Sequence, residues 1–325
     1  MSSSIGRRPP ILSGVGYDSF GMSTDPPEGR STTVGRYELL ELIGQGDIGE
    51  VFAARSRGVH GFEKRLVVKR IRKELSEDAR FVDAFAAEAR LAVNLSHTNI
   101  VQVLELGQAD GLLYIVMEYV SGPDLSRCNA ALAKSGQPWP AQLAAFVVAE
   151  VAKGLDHAHR RRDLEGRPLG IVHQDVTPAN VLLSHEGEVK ITDFGMASAS
   201  GTDRLARAAD PHYLAPEQVR GEAVDPRTDV FGCGLLLLEM VSGSSPWAEL
   251  PRQEAIDRLR NGEVPSLEQQ TRARLAPDLV TVLEKATASA PDVRYADAAT
   301  LYEALMSTIF ASGRVMGRRE LADLL

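Results

Sequence analysis

Residues 171–195 read IVHQDVTPANVLLSHEGEVKITDFG, and this stretch constrains the fold more tightly than any other in the chain. Two short apolar runs, Val181–Leu183 and Val189–Ile191, flank the turn His185–Glu188 and read as strands of a hairpin. Asp175 and Asn180 stand five residues apart in a loop that Pro178 stiffens, just ahead of the first run. Asp193 follows the second run on a turn that Gly195 permits. A carboxylate can accept a hydroxyl proton. A carboxylate and an amide oxygen are also the ligands a hard divalent cation prefers. Each element alone is an ordinary turn; the order and spacing together point to one loop-built site.

Working outward, the two sides of this stretch differ. Upstream, alternating apolar segments predict strands at Tyr37–Ile43, Val51–Arg55, Leu66–Ile71, Val101–Leu106 and Leu112–Tyr119, with Asp110-Gly111 as a hairpin turn. A single helix over Glu77–Leu95 interrupts them, with Phe81, Phe85, Ala89 and Ala92 at helical spacing. After Gly122-Pro123 the pattern turns helical, with an apolar stripe over Gln142–His159 and an all-apolar segment at Val230–Val241. The fold class is therefore α+β. A small five-stranded lobe with one helix (37–120) joins a larger, mainly helical lobe (121–311). Residues 1–36 hold seven Ser, six Gly and four Pro and read as a disordered tail, and 312–325 as a second tail. No internal repeat is present.

Composition narrows the function. The 325 residues carry 36 Lys and Arg against 44 Asp and Glu, a net charge of −8, which argues against a nucleic-acid partner. Two cysteines exclude a disulfide framework and fit a reducing compartment. No apolar run reaches the roughly 18 residues of a spanning helix, so no membrane segment and a cytoplasmic location are expected.

The sequence Gly44-Gln-Gly46-Asp-Ile-Gly49-Glu-Val51 is followed by a strand, not by the helix that a dinucleotide-binding turn needs. Glycines between two strands make a flap whose N–H groups can close over phosphates, although a plain hairpin reads almost as well. Lys69 lies in the apolar strand Val67-Val68-Lys69, and Glu88 lies on the apolar face of its helix. A lone carboxylate there is costly unless it meets a cation, so mutual pairing of Lys69 and Glu88 accounts for both.

With these residues in hand the chain resembles the eukaryotic-like serine/threonine protein kinases of bacteria, over about residues 37–311. The flap, Lys69, Glu88, His173-Gln-Asp175…Asn180, Asp193-Phe-Gly195 and Ala215-Pro216-Glu217 all match that family's motifs. The Arg-rich insertion at 160–169 looks bacterial. The resemblance implies a bilobal protein-kinase-like fold that uses ATP with Mg²⁺, or Mn²⁺ in its place. It implies that Gly44, Gly46, Gly49, Val51, Val67, Lys69, Met117, Glu118 and Val120 bind the nucleotide, and that Asn180 and Asp193 hold the metal. Asp175 would orient the acceptor hydroxyl, with Lys69, Glu88 and Thr177 completing the catalytic set. Asp229 would brace the catalytic loop, and Arg294 would pair with Glu217.

Three residues depart from the family pattern: Gln174 stands in place of Arg, Thr177 in place of Lys and Asp210 in place of Thr. Thr177 and Asp210 imply a serine/threonine kinase of low intrinsic activity acting on a protein substrate of unknown identity and in an unknown oligomeric state. The alternative they leave open is an ATP-binding pseudokinase that works as a signalling scaffold. Ser198, Ser200 and Thr202 are ordinary for such a loop. Cys128 and Cys233 read as inert, Trp247 as packing, and His157 and His159 as surface residues.

Overall fold

The computed structural model describes residues 33–194, 211–313 and 316–325. Gly195, Ser198, Ser200, Thr202 and Asp210 lie outside these, as do residues 1–32 of the expected tail.

The small lobe is an antiparallel sheet of β1 (Thr33–Val34), β2 (Tyr37–Gln45), β3 (Gly49–Arg57), β4 (Glu63–Ile71), β5 (Val103–Ala109) and β6 (Leu112–Glu118), in the order β1-β2-β3-β4-β6-β5. The helices α1 (Lys73–Ser76) and α2 (Ala79–Val93) lie between β4 and β5. Asp78 starts α2 by accepting from the N–H groups of Arg80 and Phe81, and the helix buries Phe81, Phe85, Ala89 and Ala92. Asp110 and Gly111 both take positive φ, 51° and 79°, as a two-residue hairpin turn requires.

The large lobe holds α3 (Leu125–Lys134), α4 (Ala141–His159), the hairpin β7 (Val181–Leu183) and β8 (Val189–Ile191), α5 (Pro216–Arg220), α6 (Pro226–Ser242), α7 (Arg252–Arg260), α8 (Gln269–Arg272), α9 (Pro277–Ala286), α10 (Ala298–Ala311) and α11 (Arg318–Leu324). Central to its core is α6, buried on all sides from Thr228 to Val241. Such a helix has no polar face to spare, which is why its one buried acid near the start, Asp229, must be matched by partners.

Three expectations need correcting. The sheet begins at Thr33, within the stretch read as a disordered tail: Val34 and Tyr37 are buried, and Gly35 turns between them at φ 56°. Surrounding Ser and Gly residues mask a two-residue strand from any periodicity argument. The helix expected over Glu77–Leu95 forms as α2, but a further short helix, α1, precedes it at Lys73–Ser76, so the small lobe holds more than the one helix expected. The expected C-terminal tail contains α11, and Leu321 and Leu324 of that helix, with Leu325 just after it, are buried in the large-lobe core. Among the described residues no helix is long and apolar enough to cross a membrane.

The segment after α2 also meets the large lobe. The rings of His97, just beyond α2, and His157, on α4, stack at 4.8 Å. The Nε2 of His157 is buried with no hydrogen-bond partner among the described residues. Burial pushes both imidazoles below their ordinary pKa of 6.5; the facing charges of His157, Lys153 and Lys190 add to this for His97, and Arg161 does so for His157. Glu150 and Asp156 oppose the shifts. Because the folded-state values are depressed, the unfolded chain binds more protons below pH 6.5 and stability falls there. His157→Phe keeps a ring for the stack and should flatten the decline of Tm between pH 7 and about pH 5. An unchanged pH slope would show that this pair stays clear of the linkage.

Candidate active site

The loop after α4 is held from below by Asp229, which is only 1% exposed. Its carboxylate accepts from the main-chain N–H of His173 at 2.8 Å, from that of Gln174 at 2.7 Å and from His159 Nε2 at 2.7 Å. Burial pushes this carboxyl up, but the hydrogen bond and charge of His159, with His173 and the Gln174 amide, outweigh it and hold the pKa below the usual range. His159 is therefore not a surface residue. It sits where one helix turn brings α4 against the start of α6, a contact that a His in an Arg-rich context did not announce. Gln174 takes φ 67°, a left-handed conformation that a non-glycine residue adopts only when its surroundings hold it.

The His173 ring orders the next step of the loop. Its Nδ1 accepts from the Asp175 N–H at 3.2 Å and its Nε2 donates to the Thr192 carbonyl at 2.8 Å. Asn180 then fixes Asp175 directly: its Nδ2 donates to the carboxylate Oδ2 at 2.8 Å and to the Asp175 carbonyl at 2.9 Å. With the amide nitrogen committed to Asp175, the Oδ1 of Asn180 takes no hydrogen bond among the described residues. Thr177 is buried beside them, and its hydroxyl makes no bond to Asp175.

Lys69 points inward from β4, opposite Val51 of β3 and Ile115 of β6. Its Nζ lies 2.8 Å from Asp193 Oδ2. The expected ion pair with Glu88 is thus not the one formed: the buried ammonium needs one contact carboxylate, and Asp193, on a turn with φ 65°, delivers an oxygen to it. Glu88 lines the cavity behind this pair together with Phe85, Asp193 and Phe194. Phe194 meets the His173 ring edge to face at 4.6 Å, so the turn after β8 and the loop that carries Asp175 are packed as one unit.

Above the site, β2 and β3 turn back at Gly46, whose N–H donates to the Gly49 carbonyl at 2.9 Å. Arg72 grips the turn through the Gly46 carbonyl at 2.9 Å. The three glycines are not equivalent. A Cβ on Gly49 would stand 2.1 Å from the Arg70 carbonyl, one on Gly44 would make ordinary contact with Val51, and one on Gly46 would meet nothing within 4 Å. Gly49 is thus required by the approach of β3 to β4. Gly49→Ala should lower stability by about 1–3 kcal/mol, whereas Gly46→Ala should leave Tm unchanged and alter only ligand affinity. Thermal melts with and without nucleotide separate the two, and a stable Gly49→Ala would contradict the packing argument.

Between the lobes, Val67, Met117 and Val120 belong to or pack on the small-lobe core, and Leu182 joins them from β7 below. Leu182 was missed in the sequence; the signal is its place one residue out of phase with the buried Val181 and Leu183. The Glu118 carboxylate is engaged by the Gln102 N–H at 2.8 Å and Lys190 Nζ at 2.9 Å, so its side chain serves the junction of the lobes. Farther down, Glu217 forms a two-pronged pair with Arg294, at 2.7 and 2.8 Å, as expected from the resemblance. Both cysteine thiols are buried and pushed above their ordinary range by burial.

What is assembled is a set of apolar side chains where the two lobes meet, a glycine turn between β2 and β3, a buried ammonium, a carboxylate held by an amide, and a second carboxylate on a turn. A profile of the protein kinase domain matches residues 37–306. The tyrosine-protein kinase MasK of Myxococcus xanthus is 36% identical over 275 residues, covering 83% of this chain and 42% of MasK. The serine/threonine-protein kinase PknB of Mycobacterium leprae is 36% identical over 276 residues, covering 82% of this chain and 42% of PknB. The chain thus spans about two fifths of the length of these curated relatives. Among solved structures, the Mycobacterium tuberculosis PknI kinase domain superposes with a TM-score of 0.66 at 28% identity, covering 85% of this chain and 97% of that one.

Proposed function

The chain belongs to the protein kinase domain family, and on that premise we propose that it transfers the γ-phosphate of ATP to a serine or threonine hydroxyl of a protein. What supports the reading is the pairing of Asn180 with Asp175 and of Lys69 with Asp193, the two pairs being linked by the Thr192 N–H, which donates to the Asn180 carbonyl at 2.9 Å one residue before Asp193. In this reading the adenine lies in the slot of Val67, Met117, Val120 and Leu182, under Val51 and the glycine flap. Lys69 holds phosphate oxygens once it parts from Asp193. The acceptor hydroxyl gives its proton toward Asp175, whose carboxylate Asn180 keeps in one orientation.

The donor set fits a hard divalent cation: Asp193 offers a carboxylate and Asn180 an uncommitted amide oxygen. Mg²⁺ held there would neutralise charge on the phosphates. Glu88 lines the same cavity as Asp193. Thr177, with no hydrogen bond to Asp175, supplies no positive charge at the transferring group, and a slow turnover follows. The buried, reduced thiols fit a cytoplasmic location.

The test is incubation of the purified chain with γ-labelled ATP, Mg²⁺ and casein, with Lys69→Met as control. Label on the chain or on casein, absent in the control, is expected. A nucleotide-binding chain without transfer would instead mark the scaffold role. The similarity to MasK favours tyrosine as a second acceptor, and phosphoamino-acid analysis of the labelled product decides between the hydroxyls.

A further inference from the structure

Gln218 is buried, and neither the sequence motifs nor the chemistry described so far uses it. It sits in the first turn of α5, where its Oε1 accepts from the Ala215 N–H at 2.8 Å and closes the start of the helix. Its Nε2 reaches across to a different part of the chain and donates to the Gln174 carbonyl at 2.8 Å. That carbonyl belongs to the same peptide plane as the Asp175 N–H, which donates to His173 Nδ1 at 3.2 Å. The plane carrying Asp175 is therefore gripped at both ends, next to a residue whose φ of 67° needs holding.

We propose that Gln218 is a positioning residue for phosphoryl transfer, its side-chain amide orienting Asp175 through the 174–175 peptide and making that orientation depend on the segment at Ala215. The inference rests on the kinase reading above and names a further part of that site. Only a side chain with one acceptor and one donor on the same planar group satisfies both partners. An ionised glutamate at 218 keeps the Ala215 bond but turns an anion toward the Gln174 carbonyl. A protonated glutamate restores the pattern, because its C=O accepts and its O–H donates. The ionisable groups on the elements packed around it are already engaged: Glu217 with Arg294, Asp229 with His159, Asp175 with Asn180, His173 with Thr192 and Arg220 with Arg260.

The experiment compares Gln218→Glu and Gln218→Leu with the unaltered full chain, using ATP and casein, from about pH 5.5 to 8.5. Gln218→Leu should lose about tenfold in kcat at every pH, with affinity for ATP unchanged. Gln218→Glu should lose at least as much above pH 7 and return to within about twofold of the unaltered chain near pH 5.5, as the carboxyl takes up its proton. A deficit in Gln218→Glu that is the same at all pH values, or kcat unchanged in both variants, overturns the proposal. Hydrogen exchange of residues 171–177 reads the same clasp without catalysis: faster exchange in Gln218→Leu supports it, and unchanged exchange overturns it. An unaltered chain that transfers no phosphate counts against the kinase reading, and the exchange result still decides the clasp.

Discussion

Asp193→Asn should leave a folded chain whose phosphoryl transfer is slower by about 10²–10³ or more, and Lys69→Ala should lose as much for a different reason. The two side chains meet at 2.8 Å, yet the reading of the site separates their roles. Asn at 193 removes the anionic oxygen that would hold the cation, so the phosphates keep their positioning ammonium but lose charge neutralisation. Ala at 69 removes the ammonium and leaves the carboxylate. Nucleotide should still bind in both cases, since the apolar side chains of Val67, Met117, Val120 and Leu182 are untouched. Titration with a fluorescent ATP analogue beside a kcat measurement makes the distinction. The two losses should not multiply in the double variant, because the groups act on one phosphate chain. Substantial turnover in Asp193→Asn would remove that carboxylate from the metal site.

How much of this was legible follows from which interactions are local. The hairpin of β7 and β8, with Asp175, Asn180 and Asp193 around it, could be read because turn residues and apolar runs fix it within 25 residues. The pairing of Glu217 with Arg294, 77 positions apart, was reached only through resemblance. Spacing alone carries no such information.

The partner of Lys69 was misassigned for a related reason. Sequence shows that a buried ammonium needs a carboxylate, but two were available, and a few ångströms of turn geometry decide between Glu88 and Asp193. His159 reads as a surface residue and Gln218 carries no signal at all, because their partners, Asp229 and Gln174, lie 70 and 44 residues away. Neither residue type signals burial, and in both cases the polar side chain is inside because a strained or charged group there requires it. Thr33–Val34 and α11 were lost to composition: short apolar pairs in polar surroundings look like tail until the rest of the core is there to receive them.

Glu217→Ala should be among the most destabilising single substitutions in the large lobe. The Arg294 side chain is wholly buried and the Glu217 side chain nearly so, and removing one partner of such a pair costs about 3–5 kcal/mol. Arg294 keeps other acceptors, the carbonyls of Ala288, Ser289 and Arg227, and its guanidinium lies 4.7 Å from the centre of the Phe231 ring. Those contacts place the expected loss at the lower end, about 3 kcal/mol, still a large share of the roughly 5–15 kcal/mol that holds a domain folded. Burial pushes the Glu217 carboxyl up, but the hydrogen bonds and charge of Arg294, with Thr228, prevail and hold it below its ordinary 4.5. Its contribution is therefore complete above that value and is lost as pH falls through the lower folded-state pKa. Urea unfolding at pH 7 should show the full difference between Glu217→Ala and the unaltered chain, and unfolding at about pH 3 a smaller one. The double change Glu217→Leu with Arg294→Met should recover much of the loss, since a packed apolar pair can replace a buried ionic one. A double variant no more stable than Glu217→Ala would mean that Arg294 matters for its carbonyl contacts and the ring of Phe231, and that the ion pair is incidental to the fold.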